Sequence, residues 1–69
     1  MQRQGVQSSN IKEIGHDQAT LTLEIEFLNG SIYQFFDVPR PVYEQFMQAP
    51  SHGQFFSQQI KGKFRHAKL

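Results

Sequence analysis

The chain contains no cysteine. That excludes a disulfide framework, a thiolate zinc site and a cysteine nucleophile, the usual supports of very small secreted domains. Long hydrophobic runs are missing too: no more than two apolar residues follow one another, and the N-terminus reads Met1-Gln2-Arg3-Gln4-Gly5. Neither a signal-peptide core nor a membrane span is therefore expected, and the expected location is the cytoplasm. With 69 residues there is room for one hydrophobic core and one domain over 1–69. Acidic residues are absent from the C-terminal segment: residues 60–69 hold Lys61, Lys63, Arg65 and Lys68, whereas residues 1–59 hold Arg3, Lys12 and Arg40 against all six acids. A mildly acidic body with a basic tail over 61–69 points either to a polyanion partner or to a solubilising end.

What is present is patterned. Leu21, Leu23, Ile25 and Phe27 alternate with Thr22, Glu24 and Glu26, the period of a half-buried strand. Asn29-Gly30 follows as a hairpin signal, and Ser31-Ile32-Tyr33-Gln34-Phe35-Phe36 supplies the next strand. Upstream, Ile11 and Ile14 precede the turn-prone Gly15-His16-Asp17, which predicts a first strand near 8–16. After Val38 the period changes. Pro39 and Pro41 suit a helix start, and Val42, Tyr43, Phe46 and Met47 recur at helical spacing, predicting a helix over 40–48. Ala49-Pro50 ends it; Ser51 with Gln54 forms a capping pair for a second helix, along which Phe56, Ile60 and Phe64 make one apolar stripe. Gly62 leaves the end of that helix open. The expected fold is α+β, a three-stranded antiparallel meander followed by two short helices on one sheet face (β-β-β-α-α). Leu21, Leu23, Ile25, Phe27, Phe46, Phe56 and Ile60 form the expected core.

An ordered set of residues resembles the KTSC domain family, named after its occurrence at the C-terminus of some lysyl-tRNA synthetases and also found as a free-standing bacterial protein. The set comprises Ser8-Ser9, Ile11, Ile14-Gly15, Leu23, Phe27, Gly30, Tyr33-x-Phe35, Val38-Pro39, Val42-Tyr43, Ala49, Ser51-x-Gly53, Phe56 and Ile60-Lys61. It spans about residues 6–64. Phe35 replaces the second tyrosine of the family's Tyr-x-Tyr, and His16 stands where tyrosine is common. The resemblance implies no established activity; its synthetase context suggests RNA binding.

Catalytic and metal chemistry find little material. His16, His52 and His66 are scattered, with no pair at the i, i+4 spacing of a helical metal site, and each reads as a surface or turn histidine. Ser51 serves as a cap rather than a nucleophile, and Glu24 with Glu26 reads as a solvated strand face. No enzymatic activity, cofactor or metal is expected. Tyr33 and Phe35 depend on the hairpin. A two-residue loop sets them opposite Glu26 and Glu24, as an exposed stacking platform; a three-residue loop, Leu28-Asn29-Gly30, sets Tyr33 opposite Ile25, makes both rings core and implies packing only. Continued as a helix past Gly62, the tail would align Lys61, Arg65 and Lys68 in a phosphate-binding stripe. The leading functional reading is an RNA-binding module using Lys61, Lys63, Arg65 and Lys68, joined by Arg40, Tyr33 and Phe35. The competing reading is a protein-interaction module with an aromatic-rich surface, drawn from nine aromatics in 69 residues. Neither reading implies a membrane or a small-molecule substrate.

Overall fold

A computed structural model describes residues 1–69. The fold is α+β, with five strands where the sequence pattern predicts three. β1 (Arg3–Gly5), β2 (Ile11–Asp17), β3 (Thr22–Phe27) and β4 (Ile32–Phe35) precede α1 (Arg40–Gln48) and α2 (His52–Phe55), a π-helical turn spans Phe56–Ile60, and β5 (His66–Lys68) closes the chain. The sheet is antiparallel throughout, in the order β1-β2-β3-β4-β5. No helix is long and apolar enough to cross a membrane.

The core lies between one sheet face and the helices. Ile11, Ile14, Leu23, Ile25 and Phe35 from the sheet meet Val38, Phe46 and Ile60, all buried. Phe27 and Phe56, expected in the core, are half-buried at its margin. Leu21, also expected there, is 38% exposed, with a left-handed φ of 55°. It belongs to the β2–β3 turn, where its carbonyl accepts from Val38 N–H at 2.9 Å. Gly15-His16-Asp17, expected to turn, instead completes β2, pairing with Glu24, Leu23 and Thr22.

The β3–β4 hairpin has the three-residue loop. Glu26 pairs with Ile32 and Ile25 with Tyr33, while Gly30 takes φ +90°, the left-handed bulge position that excludes most side chains. Tyr33 and Phe35 therefore share the core face with Ile25 and Leu23, and the exposed platform of two rings does not form: Phe35 is buried, and only Tyr33 is half-buried.

α1 spans the predicted residues, and Ala49 leaves it in extended conformation because it precedes Pro50. Ser51 Oγ accepts from Gln54 N–H at 3.2 Å, the expected N-cap. Replacing Ser51 by alanine should lower stability by about 0.5–2 kcal/mol, measurable by urea denaturation, with no change in the sheet.

The helix does not continue past Gly62. Lys61 N–H donates to the Phe56 carbonyl at 2.8 Å, closing the π turn, and Lys63 N–H donates to Ile60 at 3.0 Å. Lys61 at φ −63°, ψ 124° and Gly62 at φ +77° make a type II reversal, whose third position favours glycine. The chain thus returns along β4, and the predicted helical stripe of Lys61, Arg65 and Lys68 does not form.

Candidate nucleic-acid interface

Strand alternation distributes the tail's charges between two faces. His66 pairs with Phe35 and Lys68 with Tyr33, so both lie on the aromatic side of the sheet; Ala67 pairs with Gln34 on the other. Arg65 follows the opposite parity. Its guanidinium sits 5.4 Å from the Phe36 ring centre and donates from Nη2 to Asp37 Oδ2 at 3.0 Å.

On the aromatic side, a cleft of about 380 Å³ opens beside the helical layer. Phe27, Tyr33, Phe35 and Phe56 form its apolar part; Asn29, Ser31, Lys61, Gly62 and His66 complete the lining. The rings brace one another. Phe27 meets Tyr33 edge-on at 5.7 Å and Phe56 at 5.4 Å, and Phe35 meets Phe56 edge-on at 5.7 Å. These are favoured aromatic geometries, and they hold the cleft's apolar wall in one arrangement. Lys68 Nζ stands 5.9 Å from the Tyr33 ring centre, within cation–π range. His66 lies 5.5 Å from Phe35 and 6.2 Å from Tyr33.

No carboxylate lines this cleft. Glu24 and Glu26 lie on the opposite sheet face, half-buried rather than fully solvated, because Arg3 crosses that face to meet them. Arg3 Nε is 3.4 Å from Glu13 Oε1 and from Glu24 Oε2, and Nη1 is 3.2 Å from Glu26 Oε1. The last contact is close but misaligned, leaving buried Nη1 without a hydrogen bond. Gly15 allows this crossing: a Cβ there would lie 2.8 Å from Arg3 Cγ.

Of the residues singled out in the sequence, Lys61, Tyr33 and Phe35 line the cleft, and Lys68 does not line it but stands over the Tyr33 ring. Lys63 occupies the exposed turn after Gly62, and Arg65 is held at Asp37. Arg40 is elsewhere, over the Tyr43 ring at 4.8 Å and 3.8 Å from Glu44, in a polar groove beside β1. That groove also contains His16, which is 9% exposed and not the surface histidine expected. Its Nε2–H donates to the Val38 carbonyl at 2.7 Å and its ring stacks on Tyr43 at 5.3 Å. Sequence reasoning missed His66, Phe27 and Phe56 as cleft residues. The parity of β5 against Tyr33 and Phe35 was the signal, and it appears only once the tail is known to be a strand.

The family model for the KTSC domain matches residues 7–64. A lysine–tRNA ligase of Nostoc punctiforme is 48% identical over 63 residues, 91% of this chain and 11% of that protein. The chain thus spans only about a ninth of the ligases that it matches. An uncharacterised protein of Stutzerimonas stutzeri is 36% identical, with 88% of this chain and 86% of that protein covered. The crystal structure of a KTSC domain protein from Yersinia pestis superposes with a TM-score of 0.93 at 46% identity, covering 99% of this chain and 96% of that one.

Proposed function

The chain belongs to the KTSC domain family, and from that premise we propose that it is a small RNA-binding module that holds a single strand at the aromatic cleft. The observation that carries this reading is the Tyr33 ring, half-buried in a cleft without carboxylates, with Lys68 over it and Lys61 on the lining. An aromatic face stacks any base, and flanking ammonium groups neutralise phosphates on either side. The lysine–tRNA ligases among its relatives support the same direction, since in them this segment shares a polypeptide with an enzyme named for a tRNA. The proposed activity is binding alone, without a catalytic step or cofactor. A cytoplasmic location goes with it.

Replacing Lys61 and Lys68 together by glutamine should abolish retention on single-stranded RNA at low salt while changing stability by less than about 0.5 kcal/mol, because both side chains are exposed. Arg65→Gln and Arg40→Gln should have little effect, since each guanidinium already has a carboxylate partner. For two phosphate contacts on a single strand, log affinity should fall with log salt at a slope of about −1.4. Absence of RNA binding by the unaltered protein at low salt would refute the reading. Salt-insensitive capture of a protein would favour the aromatic surface as an interaction site instead.

A further inference from the structure

Resting on the RNA reading, we infer that the cleft accepts a single base at a time, together with the two phosphates that flank it. The observation is how the rings around Tyr33 are turned. Stacking one base needs an open ring face, and stacking two neighbouring bases of a strand needs two such faces lying nearly parallel. Phe35 is the ring close to parallel with Tyr33, at 25° and 6.4 Å, and it is only 3% exposed. Phe27 is turned 90° from Tyr33, and His66 46°. Phe56 stands at 75° to both Phe27 and Phe35. These rings shape the wall of the cleft but give a second base nothing parallel to lie on. Tyr33 alone is left, half-buried, with the exposed Lys68 side chain reaching over it.

The cations match a site of this size. Lys61 is on the cleft lining and Lys68 over the Tyr33 ring, both exposed, whereas Arg65 is held by Asp37. An RNA backbone carries one phosphate before each base and one after it, so two ammonium groups beside one ring serve the two phosphates of one nucleotide. A site of this kind takes a single unstacked nucleotide in a loop, bulge or end as readily as one in a long strand.

Three labelled strands with the same backbone of about eight nucleotides test this by fluorescence anisotropy at low salt: one wholly abasic, one with a single central uracil, one with two adjacent uracils. The phosphates are the same in all three, so only the bases differ. The unaltered protein should bind the one-uracil strand roughly fivefold to a hundredfold more tightly than the abasic one, the range for stacking one base on an aromatic ring. The second uracil should add no more than about twofold, from having two bases to choose between. The chain has two tyrosines and no tryptophan. Tyr43→Phe keeps the ring that stacks on His16 and leaves Tyr33 as the sole tyrosine, whose emission should be quenched at saturation by the first uracil and no further by the second. A second gain as large as the first, no gain from the first, or binding without quenching overturns the inference while RNA binding stands. Failure of octauridylate itself to bind overturns the RNA reading and this inference with it.

Discussion

Phe46→Ala should leave a large share of the protein unfolded at room temperature. Phe46 has the largest of the fully buried side chains; it stacks on Phe55 at 5.2 Å and lies 6.1 Å from the His52 ring. It is also the one fully buried residue of α1, so the attachment of that helix to the sheet depends on it. Truncating a buried phenylalanine costs about 3–5 kcal/mol from lost transfer energy and the cavity left behind. A single core of this size, with no disulfide to add to it, rarely supplies more than about 3–5 kcal/mol. The two magnitudes coincide, so truncation removes nearly the whole margin. Phe46→Leu retains most of the volume and should remain folded, with a loss of about 1–2 kcal/mol. Far-ultraviolet circular dichroism and urea titration of both variants check this; a folded Phe46→Ala within about 1 kcal/mol of the parent would show that α1 is anchored otherwise.

Gly15→Ala should cost about 1–3 kcal/mol, the range for overpacking a close-packed site. A Cβ at position 15 would lie 2.6 Å from the Gln2 carbonyl oxygen and 2.8 Å from Arg3 Cγ. The lysine-like freedom of the Arg3 stem relieves the second contact; the first involves backbone, and relieving it moves β1 off the edge of β2. Arg3 would then withdraw from Glu13, Glu24 and Glu26, leaving three half-buried carboxylates with Lys12 as their remaining cation, 3.8 Å from Glu26. Removing residues 1–5 separates the effects. In that background the clashing atoms are gone, and Gly15→Ala should become neutral or gain up to about 1 kcal/mol, because glycine is unfavourable within a strand. The difference between the two costs is the coupling of Gly15 to β1. Equal costs in both backgrounds would show that the clash is relieved locally and that β1 does not depend on this glycine.

Much of the frame is legible in the linear pattern because it depends on neighbours in sequence. The alternation of Leu23, Glu24, Ile25 and Glu26 decides which side of β3 is apolar, and proline at both ends delimits α1. Ser51 caps a helix through a bond three residues away. Local geometry also reduced the hairpin to two registers, one with Tyr33 opposite Ile25, which is the pairing found. Choosing between them needed more, because a one-residue slip moves every side chain to the other face and either loop suits Asn29-Gly30.

The edge strands show where local pattern fails. Arg3-Gln4-Gly5 and His66-Ala67-Lys68 are three residues each, too short and too poor in large apolar residues to show a strand period, and they are strands because β2 and β4 offer backbone partners. His16 can be buried because a carbonyl 22 residues away accepts a hydrogen bond from its Nε2–H. The sequence by itself determined the central strands, the bounds of α1 and the charge carried by the tail, since each depends on contacts within a few residues. Only the tertiary structure decided which charges meet which rings: the reversal at Gly62 and the register of β5 bring Lys68 to Tyr33 and leave Arg65 with Asp37, pairings formed across the sheet between residues about thirty apart.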